Sequence, residues 1–217
     1  MKESKLYTAG ARRLQDRFDS RRIADRLEQK VLVAKFSDTH REFIETAPMF
    51  FLATADAEGR PDVSYKGGLP GFVRVTGPSE LAFPDYNGNG MFKSLGSLAE
   101  NSNVGLLFIR WGEKPKRLRV QGHATIDEND PLMPQFERSQ LIVRVKAERI
   151  FDNCPRYIHH LEILSYSPYT PGPGRESPIP EWKRNPLFRD ALPSRDLEVL
   201  TSEENNWEGR SPPGNKV

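Results

Sequence analysis

A lysine and a serine, Lys93 and Ser94, lie shortly after a polar loop that reads Asn-Gly-Asn-Gly at residues 87–90, with Met91 and Phe92 between. A strand-like run at 80–83 precedes the loop, and apolar residues at spacings of four and three from Met91 indicate a helix after it. The N-terminus of a helix offers free backbone N–H groups and the positive end of the helix dipole. The pattern therefore indicates an anion site, most readily for a phosphate. An ordinary strand-to-helix connection with a solvated lysine has the same residues.

Other cations and hydroxyls lie where strands are expected to begin or end. Ser64 and Lys66 precede a glycine-rich break, and Lys116, Arg117 and Arg119 enter a later strand. A phosphate dianion needs several donors that converge, and alternate residues of neighbouring antiparallel strands share one face of a sheet. We expect a phosphate site if these side chains converge, and a solvated surface if they are spread evenly.

Chemistry by the protein's own side chains has little support in the sequence. Zinc-ligand spacings, a nucleophile elbow, a Walker loop and a dinucleotide G-x-G-x-x-G motif after a strand do not occur. The four histidines, His40, His123, His159 and His160, have no third ligand at a recognisable spacing, so we expect no metal site. Cys154 is the one cysteine, which excludes an internal disulfide and favours a buried structural thiol in a reducing compartment. A bound cofactor would supply the missing chemistry.

The charge balance gives no overall field that would attract nucleic acid. Lys and Arg number 32 against 30 Asp and Glu in 217 residues, a net charge of +2. The arginine-rich segment 11–33 is interleaved with acidic residues, which is typical of a solvated helix face and leaves a nucleic-acid-binding barrel as a minor alternative. No secretory h-region and no run of about 18 apolar residues occur. We therefore expect a cytoplasmic protein that binds neither nucleic acid nor membrane.

Hydropathy patterns predict a mainly β protein with peripheral helices. A T-x-x-E capping box at residues 39–42 predicts a helix that begins at His40. Between residues 49 and 151 the pattern changes to six or more mostly antiparallel strands, joined by short turns and interrupted by one helix. This arrangement favours a barrel or sandwich over a parallel αβ fold.

Composition divides the chain into three segments. Residues 1–47 form an N-terminal helical extension, residues 48–164 a barrel domain, and residues 165–217 a proline-rich C-terminal arm and tail. The arm cannot form a helix or a central strand, so we expect it to be extended.

Five sequence segments, in order, resemble a known family. They read F-L-A-T-A-D-A-E-G-R-P, S-Y-K-G-G-L-P-G-F-V-R-V, L-A-F-P-D-Y-N-G-N, L-A-E-N-S-N-V-G-L-L-F-I and L-R-V-Q-G-H-A, within residues 50–126. A weaker match covers residues 141–158. Together they resemble the FMN-binding split-barrel proteins related to pyridoxamine 5′-phosphate oxidase. The resemblance implies a six-stranded antiparallel FMN-binding split β-barrel and a homodimer with one FMN in each of two sites between the subunits.

The resemblance also assigns residues to the flavin. Their expected positions are Ser64 and Lys66 along the flavin and its phosphate, Pro84, Asp85 and Tyr86 at the isoalloxazine edge, Asn87 and Asn89 at the ribityl chain or phosphate, Lys93 and Ser94 at the phosphate, and Arg117 and Arg119 at the flavin or phosphate from the adjacent strand.

The chain departs from the oxidase proper in four places. Arg117 replaces a glutamine, and Lys93-Ser94 replaces an arginine-lysine pair. A glycine-rich insert at residues 67–71 is extra, and the C-terminal arginine-bearing substrate motif has no match. FMN binding is compatible with these changes more readily than oxidation of pyridoxamine phosphate is.

The resemblance favours an enzyme, an FMN-dependent oxidoreductase that transfers hydride at flavin N5 and acts on a small-molecule substrate not identified by the sequence. Because the central motifs contain no obvious acid or base, a non-catalytic flavin-binding, haem-binding or storage protein is the alternative. Deazaflavin is an alternative cofactor.

Overall fold

Seven antiparallel strands form one sheet in the computed structural model, which describes residues 4–175 and 177–207. Contacts divide the chain into two units, Met1–Tyr166 with Thr170–Pro173, and Ser167–Tyr169 with Gly174–Val217. The helices of the first unit are α1 (Ala9–Arg17), α2 (Arg21–Val31), α3 (Asp38–Glu45) and α4 (Lys93–Glu100). Its strands are β1 (Met49–Ala55), β2 (Pro61–Gly67), β3 (Arg74–Gly77), β4 (Glu80–Tyr86), β5 (Asn103–Arg110), β6 (Lys116–Asp127) and β7 (Ser139–Asn153).

The strands lie in the order β2-β1-β5-β6-β7-β4-β3. The predicted fold class, a mainly β antiparallel fold with peripheral helices, is confirmed, but the count of six strands is wrong. The four-residue β3 pairs with β4 through Arg74 and Val75, and Val75 is buried, so this short segment is a strand of the sheet.

An aromatic cluster at the centre of the core shows that the sheet curls into a barrel. The Phe50 ring of β1 lies 4.9 Å from the Phe83 ring of β4 and 5.1 Å from the Phe108 ring of β5. Strands β1 and β4 are not neighbours in the sheet, so their side chains can meet only if the sheet bends around them. All three rings are fully buried or nearly so, and burial of this kind is the main favourable contribution to folding.

The N-terminus of α3 differs from the prediction. Ser37 caps the helix by accepting a hydrogen bond from the backbone N–H of His40, and His40 Nδ1 accepts one from the backbone N–H of Ser37. The capping box is therefore made by Ser37 and His40, and the helix begins two residues earlier than the 39–42 pattern indicates. The cause is that an imidazole nitrogen accepts the hydrogen bond that a glutamate side chain usually accepts.

The second unit has its described secondary structure between residues 181 and 207. It contains a 3₁₀ turn (Glu181–Arg184) and the helices α5 (Pro186–Arg189) and α6 (Ser194–Trp207). Lys183 Nζ lies 2.9 Å from Asp196 Oδ2, and both side chains are buried. The described residues of the predicted arm, up to residue 180, form no helix or strand. The three-segment division stays a prediction, and the last part of its tail, residues 208–217, lies outside the described residues.

In residues 4–175 and 177–207, no helix combines the length and the apolar character needed to cross a membrane.

Replacement of Gly122 should destabilise the barrel. The β6–β7 pairing shifts register at Gln121 and Gly122, and a Cβ at Gly122 would lie 2.0 Å from the carbonyl oxygen of Lys146. Because the obstacle is backbone, we expect Gly122→Ala to lower the free energy of unfolding by about 1–3 kcal/mol or more. Urea denaturation measures this change.

Gly96→Ala is the matched control. Gly96 is in α4, and outside the backbone of that helix no atom of the described residues lies within 4 Å of a Cβ at this position. Alanine is favoured over glycine in a helix, so we expect a gain of about 0.5–1 kcal/mol. Equal effects of the two substitutions would contradict the close approach of β6 and β7 at Gly122.

Candidate functional site

Alternate residues of the edge strand β2 place a carboxylate, a hydroxyl and an ammonium on one face. Ser64 lies opposite Leu52 and Lys66 opposite Phe50 in the β1–β2 register, and Asp62 is two residues before Ser64. Because Leu52 and Phe50 are fully buried, this face is the inner face of the barrel wall. Asp62, Ser64 and Lys66 therefore lie in a row along the inner face of an edge strand.

Lys66 spans the gap between β2 and β4. Its Nζ lies 3.7 Å from Oδ1 of Asp85, although β2 and β4 are not paired in the sheet. The two side chains are only 22% and 13% exposed. Gln140 Nε2 donates to the other Asp85 oxygen at 2.7 Å and to the Tyr86 carbonyl oxygen at 3.3 Å. The opening of the barrel is thus lined by a polar group of three side chains.

The first turn of α4 is held by the same strand. Ser94 Oγ donates to Oδ2 of Asp62 at 3.1 Å, and Lys93 Nζ lies 3.9 Å from Oδ1 of Asp62. Among the residues that the structure describes, no side chain caps the N-terminus of α4, whose N-cap Phe92 has a left-handed backbone with φ 47°. An internal carboxylate therefore occupies the position next to both residues that the sequence assigns to a phosphate.

Residues 84–89 run from the end of β4 into the exposed loop. Pro84 is buried and lies opposite Ile142 of β7. Asn87 and Asn89 are exposed, and Asn89 Oδ1 accepts a hydrogen bond from the backbone N–H of Met91. The loop thus brings two amide side chains to the surface between the Asp85 and Lys93 groups.

Tyr86 closes one side of a cavity of about 340 Å³. The glycine-rich insert contributes Leu69, Pro70 and Gly71 to the wall, and Phe136 lies after the 3₁₀ turn Met133–Gln135. Burial raises the pKa of the Tyr86 phenol to about 12, so the hydroxyl stays protonated well above neutral pH. The wall of the cavity combines apolar and proline residues with the polar side chains of Arg74, Gln135 and Glu137.

Arg117 and Arg119 lie on the other face of the sheet. Arg119 is opposite Leu107, which is opposite Phe51, and Phe51 is opposite the exposed Tyr65. The side chains on this face point away from the barrel interior, whereas Ser64 and Lys66 point towards it. Within one chain, the structure therefore does not bring the two arginines to Ser64 and Lys66.

The surroundings of the Arg117 and Arg119 guanidinium groups indicate a place for an anion. Burial and the charge of Arg117 lower the pKa of Arg119. In the described ranges of the chain, no carboxylate lies within ion-pair distance of Arg119. Arg117 Nη2 donates to the carbonyl oxygen of Cys154 at 2.7 Å, while its Nε is buried without a hydrogen-bond partner. A partly buried guanidinium in this state favours an anionic partner from outside the chain.

Unsatisfied polar atoms recur among the predicted site residues and their neighbours. Ser64 Oγ, Arg117 Nε and Gln140 Oε1 are all buried and lack a hydrogen-bond partner within residues 4–175 and 177–207. Such atoms cost free energy unless a ligand, water or another chain satisfies them. Ser64 and Gln140 at the barrel opening therefore fit a polar ligand, and Arg117 on the outer face fits an anionic partner.

The remaining candidates contribute little to this site. Cys154 is exposed, so the expectation of a buried thiol is wrong; the residue follows the last position of β7, where the chain leaves the barrel. His40 is held by its helix cap and lies 4.0 Å from Asp152. In the part of the chain that the structure describes, no group of three His, Cys, Asp or Glu side chains could hold a metal ion.

Two site residues were not predicted. Asp62 contacts Lys93 and Ser94, and Gln140 contacts Asp85. The period of two along β2 indicates that Asp62 shares a face with Ser64 and Lys66, so this signal was present in the sequence. The position of Gln140 depends on the β4–β7 register, for which the sequence has no local signal.

The fold and site define an antiparallel split barrel with a polar, cation-containing opening. Residues 36–160 match the family model described as pyridoxamine 5′-phosphate oxidase. The match covers more than half of the 217 residues, and the chain belongs to the pyridoxamine 5′-phosphate oxidase family. The resemblance found in the sequence is confirmed.

Solved structures with a similar fold include three from bacteria. HupZ of Group A Streptococcus is 16% identical, with 58% of this chain and 99% of that chain covered and a TM-score of 0.44. The heme storage protein HutZ of Vibrio cholerae is 18% identical, with 54% and 95% covered and a TM-score of 0.40. An FMN-binding protein of Syntrophomonas wolfei is 11% identical, with 65% and 97% covered and a TM-score of 0.42. No curated protein matched the sequence.

Tyr86→Phe should change the stability of the protein at high pH. Because the pKa of Tyr86 is raised from 10.0 to about 12, the folded state retains a proton that the unfolded state releases. The free energy of unfolding therefore falls as pH rises from 10 towards 12, and this fall should be smaller in the variant. Urea denaturation at about pH 9 and about pH 11 measures it.

Tyr65→Phe is the control, because Tyr65 is 64% exposed on the outer face. We expect it to show the wild-type fall. A full wild-type fall in Tyr86→Phe would contradict the buried phenol.

Proposed function

We propose that the protein is an FMN-dependent oxidoreductase. The observation that carries the proposal is the convergence, at the barrel opening of a chain of this family, of residues from β2, the end of β4 and the first turn of α4. These are the elements that the sequence assigned to the flavin. Ser64 supports the proposal because its buried hydroxyl has no partner among the described residues.

The phosphate would lie at the first turn of α4. Lys93 supplies a charge, Ser94 a hydroxyl, and the uncapped helix N-terminus supplies backbone N–H groups. Asn87 and Asn89 are on the exposed loop directly before this turn, where they would contact the ribityl chain or phosphate. The site is thus built from one charge and several neutral donors.

The isoalloxazine ring would lie along the end of β4. Pro84, Asp85 and Tyr86 form this end, with Ser64 and Lys66 across the barrel opening. The bound FMN supplies hydride acceptance or donation at N5. The chain's own residues would orient the ring and exclude water, and the protonated Tyr86 hydroxyl can donate a hydrogen bond. The cavity beside Tyr86 has room for a small-molecule substrate.

A homodimer would explain Arg117 and Arg119. Their face of the sheet also has apolar side chains on the edge strand, with Val63 66% and Tyr65 64% exposed. If this face packs against a second copy, each arginine pair approaches the flavin bound by the partner subunit. The phosphate of that flavin would then supply a counter-ion for Arg119. Cys154, the one cysteine of each subunit, is exposed and is not in a disulfide. Because free thiols are typical of reducing compartments, we propose that the dimer is cytoplasmic.

A non-catalytic flavin-binding, haem-binding or storage protein is the second candidate. The observation that favours it is that both carboxylates at the barrel opening, Asp85 and Asp62, are in ion pairs with lysines. Neither is placed as a free general base. Deazaflavin remains the alternative cofactor under either function.

Titration of the purified protein with FMN, followed by visible absorption, tests the proposal. We expect saturable binding and sustained oxidation of a reduced nicotinamide by dioxygen above the rate of free FMN. Binding without turnover would support the second candidate. Failure to take up FMN would contradict the proposal, and mass spectrometry of a co-purified chromophore would identify deazaflavin or haem.

Lys93→Ala should weaken FMN binding. Loss of a hydrogen bond to a charged group costs about 1.5–3 kcal/mol, which corresponds to a roughly 10- to 150-fold higher Kd. Quenching of flavin fluorescence measures the Kd. Lys35→Ala removes an exposed lysine outside the site and should leave the Kd unchanged. Equal Kd values for wild type and Lys93→Ala would contradict the phosphate assignment.

A further inference from the structure

Asp62 takes both of its side-chain partners from the residues that would bind phosphate. One carboxylate oxygen accepts the Ser94 hydroxyl hydrogen at 3.1 Å, and the other lies 3.9 Å from Lys93 Nζ. The Asp62 side chain is 22% exposed and Ser94 is buried, whereas Lys93 is 65% exposed, so solvent screens the hydrogen bond to Ser94 less than the ion pair with Lys93. The carboxylate therefore satisfies the same donors that a phosphoryl group needs.

A carboxylate and a phosphate cannot both accept the Ser94 hydroxyl hydrogen. Ser94 has one hydroxyl hydrogen to donate, and the structure gives it to Asp62. A phosphate at Lys93 would also lie within a few ångströms of the Asp62 charge, where two anions repel. A phosphate that uses the Ser94 hydroxyl therefore displaces the hydrogen bond to Asp62 and must compete with Asp62 for the charge of Lys93.

A second observation on the same face points to a ligand. Ser64 Oγ, two residues along β2 from Asp62, is buried and has no partner in the described part of the chain. If the only role of Asp62 were to connect β2 to α4, the buried polar atoms of Asp62, Ser64 and Lys66 on the inner face would all be expected to have hydrogen-bond partners within the protein. Instead, the Ser64 hydroxyl is left unsatisfied beside a carboxylate that already contacts Lys93 and Ser94.

We propose that Asp62 is an internal competitor of the phosphoryl group and sets the charge preference of the site. The inference rests on the proposed function, because it concerns the same phosphate residues. Asp62 holds Lys93 and Ser94 in the absence of ligand and lowers the affinity for a dianionic phosphate. It thereby narrows the difference in affinity between FMN and riboflavin, which has no phosphate.

Asp62→Asn tests this role, because asparagine keeps the size and the acceptor oxygen but removes the charge. We expect FMN to bind about 10-fold more tightly, since repulsion between two anions is lost. Riboflavin should bind as in wild type. Flavin fluorescence quenching gives both Kd values, and Asp62→Ser provides the same comparison if the asparagine variant does not fold.

Asp16→Asn is the matched control, since it removes a carboxylate from the ion pair with Arg21 in the N-terminal helices. It should leave both Kd values unchanged. Weaker FMN binding in Asp62→Asn, or equal changes for FMN and riboflavin, would overturn the competitor role and leave Asp62 as a structural link between β2 and α4.

Inorganic phosphate separates this inference from the proposed function. If wild type and variant both fail to bind either flavin, the proposed function fails. The increase in Tm caused by phosphate then decides the role of Asp62. A larger increase in Asp62→Asn than in wild type would support competition with a phosphoryl anion, and an equal increase would overturn it.

Discussion

The contact of Phe50 with Phe83 across the barrel interior, with Phe108 beside it on the neighbouring strand, is the interaction on which the rest of the structure depends. It joins β1 to β4, which are far apart in the sheet, and so bends the sheet until its edge strand β2 approaches β4. The Lys66–Asp85 ion pair becomes possible only after this closure. An apolar core with large buried aromatic area therefore positions a polar opening that charged groups alone would not hold in place.

The period of two along β2 then gives the strand two chemical roles. Its inner face has Asp62, Ser64 and Lys66, and its outer face has the exposed Val63 and Tyr65. A shift of one residue in the β1–β2 register would exchange these two sets. The register is fixed because Phe50 and Leu52 of β1 must remain in the core. Placement of the site groups is thus a consequence of core packing in the neighbouring strand.

Much of this arrangement could be predicted from the sequence, for physical reasons. Strand alternation, turn residues and segment order indicated a mainly β fold, and the family membership is confirmed. Local signals did not determine which side chain makes a contact. Thr39 and Ser37 are both residue types that cap helix N-termini, and in the structure Ser37 is the N-cap of α3. The partners of Lys93 and Asp85 depend on barrel closure and strand register, which join residues distant in sequence.

The charged residues of β2 also affect whether its exposed edge can pair with a strand of another molecule. The outermost strands of this sheet are β2 and β3, and β3 has only four residues. The longer edge, β2, begins with Pro61, which has no N–H to offer, and carries Asp62 and Lys66 pointing inward. A proline and inward-pointing charges on an edge strand oppose pairing with a foreign strand, because the incoming chain would have to bury them. The groups at the barrel opening therefore also protect a free edge from aggregation.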